Sequence, residues 1–176
     1  NLGIGGAMQA GYKVAHRERY DVAVQCDGDG QHPPAEIPPL VEGVLGGADL
    51  VIGSRFLGAS EFRSSRMRRV GIGFFAVLLR AVTRQRISDG TSGFRAASRA
   101  TIERFAADYP HDYPEVEAVV MASRARLRVV EVPVLMRARV TGFSSITPLR
   151  SAYYMFKVSL AVLLTVLRRQ EPQGPA

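Results

Sequence analysis

Residues 21–34 read Asp-Val-Ala-Val-Gln-Cys-Asp-Gly-Asp-Gly-Gln-His-Pro-Pro. The opening run, Asp21 to Cys26, is short, apolar and rich in β-branched residues, and it predicts a buried strand of a parallel sheet. The Asp-Gly-Asp-Gly turn follows at once, and Pro33-Pro34 stops it. This order puts the carboxylates of Asp27 and Asp29 at the carboxyl edge of the sheet, where open α/β folds bind their ligands. Two carboxylates this close repel unless a positive charge lies between them. A hard divalent cation with oxygen ligands answers that need, and Mg²⁺ typically shares its shell with substrate phosphates. Gln31 would add an amide oxygen or a water-mediated contact, and His32 reads as a turn residue rather than a metal ligand. An EF-hand also opens Asp-x-Asp, but Gln31, His32 and Pro38 then stand at its fifth, sixth and twelfth positions, where Gly at six and Glu at twelve are required. A plain Asx-turn is the bland alternative.

Working outward, Gly5 to Glu18 predicts a helix, and its glycine-rich start has no strand before it to make a dinucleotide loop. Ala35 to Leu45 predicts a second helix, and "ADLVIGSR" (Ala48 to Arg55) a second buried strand. Strand, helix, strand in this order implies a βαβ unit and a parallel sheet. Gly58 to Ser65 reads as a polar loop. Arg66 to Arg86 predicts a helix apolar on most faces with basic ends. "GFRAASR" (Gly93 to Arg99) is a strand or turn leading into a helix from Ala100 to Ala106. Pro114 suits the first position of a helix, with Glu115 and Glu117 in its first turn. Leu127 to Met136 predicts a strand that Pro133 confines to an edge or bend. A last helix spans about Pro148 to Arg169, with an apolar stretch shorter than the ~20 residues of a membrane span.

The 176 residues, 47% apolar and 22% charged, suit one globular domain with a real core. The single cysteine, Cys26, excludes an intrachain disulfide and fits a reducing compartment, and no signal peptide is visible. The net charge of +7 is unevenly spread. Phe62 to Ser88 carries seven arginines and no acid, and Val132 to Gln170 carries six cations and no acid. Such asymmetry points to a polyanionic partner (nucleic acid, anionic lipid or a phosphorylated substrate) or to a solvated basic surface. Nucleic acid is disfavoured, because no aromatic platform or recognition motif is present and the paired aspartates would have no task.

The ordered set "DGDGQHPPAEIPPLVE", "ADLVIGSRF", "SDGTSGFRAASR" and "YPEVEAVVMASRARLRVVEVPVLMRARVTGFSSI" resembles the family 2 glycosyltransferases of GT-A fold, and within them the dolichyl/polyprenyl-phosphate sugar transferases. The resemblance covers the chain from Asn1 to about Arg169. It implies an α/β fold with a mostly parallel sheet flanked by helices, lacking its first βαβ elements, since the family's nucleoside-holding start lies upstream of Asn1. On that ground the chain alone is expected to be inactive. The expected organisation is a partial catalytic domain over 1–147, an amphipathic helix over 148–170 at a membrane interface, and a disordered tail over 171–176.

The resemblance also implies roles. Asp27, Asp29 and Gln31 match the metal and diphosphate motif, with Mg²⁺ or Mn²⁺ as cofactor; Asp27 also binds the donor and Asp29 is catalytic. Arg55 and Arg139 match basic positions near the donor phosphates. Arg68 and Arg69 match a paired-arginine segment beside the acceptor phosphate, although Gly71, Ile72 and Gly73 stand where relatives often follow with a serine. Ser92, Gly93 and Arg95 match the turn lining the acceptor side. Glu115 and Glu117 fall where relatives carry an acidic base motif. For the arginines a surface salt bridge is the bland alternative, and for the glutamates ordinary first-turn acids.

The implied reaction moves a sugar, with inversion, from a nucleoside-diphosphate sugar to a polyprenyl phosphate or another lipid-linked acceptor. A phosphate monoester, with a second pKa of about 6, is mostly ionised at neutral pH and needs no strong base. A hydroxyl acceptor, as in polysaccharide or glycolipid synthesis, would need Glu115 or Glu117. The basic, apolar helices fit an anionic membrane surface and a peripheral place on the cytoplasmic, inner face of the membrane; packing into the core or into a homo-oligomer is the alternative.

Overall fold

The computed structural model describes residues 3–58, 66–111, 114–137 and 157–163, apart from the side chains of 66–68. The elements run α1 (Gly3–Arg17), β1 (Val22–Gln25), α2 (Ile37–Leu45), β2 (Leu50–Ser54), α3 (Arg66–Thr83), β3 (Arg95–Ser98), α4 (Arg99–Ala107), α5 (Pro114–Arg124) and β4 (Val129–Pro133). A 3₁₀ turn, Pro34–Glu36, leads into α2.

The sheet is mixed. Its order is β1-β3-β2-β4, with β2 and β4 parallel and β3 antiparallel to both of its neighbours. Thus β1, β2 and β4 point one way, but β3 is inserted between the two strands that the sequence read as a simple βαβ pair. The cause is pairing at long range: Val22 to Gln25 register with Ser98 to Arg95, seventy or more residues on. Pro133 ends β4, an edge strand of the described sheet, as its missing N–H requires.

Alternation along the strands makes two cores. Leu50, Ile52 and Ala97 face Tyr12, Phe75, Leu79, Phe105, Tyr109 and Val116 on one side. Val51, Ala96 and Phe94 face Leu40 and Val44 of α2 on the other. Each buried Val, Leu, Ile or Phe side chain among them stabilises by roughly 1.5–3 kcal/mol before entropy is subtracted. Strand β2 is buried along its whole length, which explains its unbroken apolar reading. Helix α1 can lie close to the 110–111 backbone because Gly5 has no side chain to meet Pro110 and His111.

Helix α3 buries Ile72, Phe75 and Leu79 and exposes Val70, Phe74 and Val77. Residues 157–163 are helical, with Val158 and Val162 in the large core and Leu160 and Leu163 exposed. The rest of the expected helix over 148–170, the tail, Arg139 and the loop over 59–65 lie outside the described residues. Among the described residues, no helix is long and apolar enough to cross a membrane.

Candidate active site

The strand directions decide where the site lies. The chain leaves β1, β2 and β4 at one sheet edge and enters β3 there, so residues 26–33, 55–58, 88–94 and 134–137 gather on a single rim.

The acidic turn is built by short-range bonds. Asp29 Oδ1 accepts from the Gln31 N–H at 3.0 Å, an Asx-type closure, and Gly30 takes the left-handed φ of 76° that the turn demands. The Asp27 N–H donates to Nδ1 of His32 at 3.0 Å. That fixes the remaining ring proton on Nε2, which faces Asp27 Oδ2 at 3.9 Å. The ring stacks on Phe94, with centroids 4.6 Å apart and planes 8° from parallel. Burial pushes the His32 pKa down, against the pull of Asp27 and Asp29, so the ring is neutral at physiological pH. Partial burial, then the carboxylates of Asp27 and Asp29, push the Cys26 thiol up. The far side of the turn is tied to the segment that follows β4: the Arg137 N–H donates to Gln31 O at 3.0 Å, and Gln31 Nε2 donates to Arg137 O at 3.3 Å.

This geometry suits a hard cation. Asp27 keeps 54% of its side chain exposed, so its oxygens are open to a ligand. Among the described residues no third His, Cys, Asp or Glu joins the pair to make a cluster. The ligand set would therefore be two carboxylates, the Gln31 amide and oxygens from water or substrate phosphate, which is a Mg²⁺-like or Mn²⁺-like set.

Behind the turn lies a second polar layer. Arg55, just past β2, grips Asp89 with two bonds, Nη2 to Oδ1 at 2.6 Å and Nε to Oδ2 at 2.7 Å, while its backbone N–H donates to Oδ2 at 3.0 Å. Asp89 is 0% exposed. Glu131 on β4 accepts from the N–H groups of Ser88 and Asp89, each at 2.7 Å, and from the Ser88 hydroxyl. The Ser88 hydroxyl also meets that of Ser54 at 3.1 Å. These charge-assisted bonds clasp the 88–92 loop to β2 and β4.

Arg95 is 1% exposed. Its Nε donates to Ser92 O at 2.7 Å and its Nη2 to Gly90 O at 2.8 Å, so it fixes the turn from beneath. Its Nη1 and the Oε1 of Gln25, on cross-strand partner residues, are buried without a hydrogen-bond partner among the described residues.

The rim thus brings together Asp27, Asp29, Gln31, Arg55, Ser92 and Arg95. Arg69 is exposed on α3; the side chain of Arg68 and all of Arg139 lie outside the described residues. Glu115 and Glu117 are half-buried in the first turn of α5, and Glu115 acts electrostatically on Tyr109. His32 as the organiser of the turn, and Asp89 and Glu131 as clasp carboxylates, are additions of the structure. The Asp of "SDGTSGFR" and the lone acid of β4 were visible as residues, but nothing local marked their partners.

Comparison with known proteins agrees with this architecture. The model for "Glycosyl transferase family 2" matches residues 1–107. The chain is 33% identical over 161 residues to a polyprenol monophosphomannose synthase of Mycolicibacterium smegmatis, covering 89% of this chain and 61% of that protein. It is 32% identical over 149 residues to an undecaprenyl-phosphate mannosyltransferase of Micrococcus luteus, covering 82% and 61%. The chain therefore spans about three fifths of the length of these relatives. In structure it is similar to the glucosyl-3-phosphoglycerate synthase of Mycobacterium tuberculosis, solved with Mn²⁺, uridine diphosphate and glucosyl-3-phosphoglycerate. That match has a TM-score of 0.62 at 22% identity and covers 97% of this chain and 57% of the other. The fold is that of the GT-A transferases, and the chain belongs to glycosyl transferase family 2.

Proposed function

We propose that this chain forms part of the catalytic domain of a metal-dependent, inverting transferase that carries a sugar from a nucleoside-diphosphate sugar to a polyprenyl phosphate. The observation that carries the proposal is the pair of carboxylates, exposed Asp27 and half-buried Asp29, on a turn built at the rim where four loops meet. The names of the relatives, polyprenol- and undecaprenyl-phosphate sugar transferases, support the acceptor class.

Asp27, Asp29 and Gln31 would hold Mg²⁺ or Mn²⁺, which when bound offsets the charge of a departing diphosphate. Asp27 orients the donor diphosphate, and Asp29 is the residue on which the rate depends most. Arg139 and Arg55 add positive charge on the donor side, Arg55 from within its pair with Asp89. Arg68 and Arg69 meet the acceptor phosphate, and Ser92 and Arg95 shape the acceptor-side turn. The acceptor phosphate is its own nucleophile, so Glu115 and Glu117 have a secondary part. The exposed Val70, Phe74 and Val77 of α3, among exposed Arg69, Arg80 and Arg84, favour a peripheral seat on an anionic membrane face.

Asp29→Asn in the intact protein is expected to abolish Mn²⁺-dependent transfer to a short prenyl phosphate while leaving the melting temperature near wild type. Full turnover in that variant would overturn the proposal. Glu115→Gln and Glu117→Gln are expected to keep most of the rate; a collapse would favour a hydroxyl acceptor instead.

A further inference from the structure

Gly93 stands against the metal turn with no side chain. A Cβ built there would lie 3.2 Å from Oδ2 and 3.3 Å from Oδ1 of Asp27, tighter than ordinary van der Waals contact, and 3.5 Å from Nε2 of Gln25. The backbone itself does not call for glycine, since among the described residues the left-handed glycines are Gly3, Gly30 and Gly47. The groups that use the missing volume are therefore the Asp27 carboxylate and, more loosely, the Gln25 amide.

Gly93 cannot draw back to make room. Arg95 pins the carbonyls of Gly90 and Ser92 from beneath. The Phe94 N–H donates to Ser92 Oγ at 3.3 Å, and Phe94 O accepts from the Gly53 N–H at 2.8 Å. Asp27, in contrast, is half open to solvent and can rotate outward. A methyl group at position 93 would therefore displace the carboxylate and leave the fold alone.

We infer that Gly93 is a positioning residue: the space it leaves sets the rotamer of Asp27, and with it the direction in which that carboxylate meets a divalent cation. This rests on the reading of Asp27 as a metal ligand. Groups that orient ligands in this way typically cost about 10–100-fold in metal affinity when changed.

The test is Mn²⁺ titration of the intact protein, followed by the spin-resonance signal of the free ion, with thermal melting alongside. Gly93→Ala is expected to weaken Mn²⁺ binding by about tenfold or more at an unchanged melting temperature. Wild-type affinity in Gly93→Ala overturns the inference and spares the metal reading. Loss of the fold in Gly93→Ala also overturns it, because the space would then serve the core and not one carboxylate. A wild-type protein that takes up no Mn²⁺ overturns the metal reading, and the inference with it.

Discussion

At the scale of single residues, the acidic turn depends on a neutral imidazole. His32 accepts the Asp27 N–H through Nδ1 and stacks on Phe94, so it fixes the main chain just where the first carboxylate leaves it. His32→Ala removes the acceptor and the stacked ring, and leaves a half-buried N–H unpaired, a loss of about 1–3 kcal/mol. His32→Asn should keep an acceptor close to the place of Nδ1. The expected order of Mn²⁺ affinity is wild type, then His32→Asn, then His32→Ala, and titration of the three proteins checks it; equal affinities would show that the imidazole only fills space. The sequence already marked Asp27 and Asp29, because a glycine-rich Asp-x-Asp after an apolar run is a local pattern. His32 looked like a mere turn residue, since its stacking partner Phe94 lies sixty-two positions away. Likewise Arg55 was legible as a cation, but the carboxylate that holds it, Asp89, comes thirty-four residues later and no spacing rule links them.

At the scale of elements, helices were the most legible, because their signals are local. Pro114 and the acids after it marked the start of α5 in the right place. The strands were found too, but not their partners: β3 lies between β1 and β2 in an orientation that depends on contacts across the chain. Helix ends show a feature no pattern rule would have chosen. After α5, the Arg126 N–H donates to Ser123 O and the Leu127 N–H to Ala122 O, each at 3.0 Å, with Arg126 at a left-handed φ of 59°. This is the Schellman arrangement, in which that position favours glycine. An L-residue there costs about 1–2 kcal/mol, partly offset because glycine loses more freedom on folding. Arg126 is exposed, so its side chain has little packing to lose. Arg126→Gly is therefore expected to raise stability by up to about 1 kcal/mol, read as a higher urea midpoint at an unchanged slope. A lower midpoint would mean that the arginine contributes more at the helix end than its strained backbone costs.

At the scale of the whole molecule, the polar rim stands on an apolar base, and that base can be probed through its phenols. Tyr12 and Tyr109 pack against each other and against Phe105 in the large core, with ring centroids 5.1–5.4 Å apart. Burial, then the neighbouring phenol Tyr109, push the Tyr12 pKa far up, against the pull of Arg95. Burial likewise pushes Tyr109 up to about 12, opposed by Arg95 and helped by Glu115. In the unfolded chain both would titrate near their ordinary value of about 10. The folded state then holds protons that the unfolded state gives up, so the stability these groups contribute is complete below about pH 10 and declines as pH rises toward the folded values. The decline approaches about 1.4 kcal/mol per pH unit for each tyrosine. Urea unfolding across this alkaline range should show that slope, and Tyr12→Phe with Tyr109→Phe should flatten it while keeping both rings. Phenolate absorbance gives an independent reading: Tyr12 and Tyr109 should ionise only as the protein unfolds. Should both ionise while the fold persists, the base beneath Arg95 would have to be wet, and the turn that carries Gly93 would lose the rigid support from which it positions Asp27.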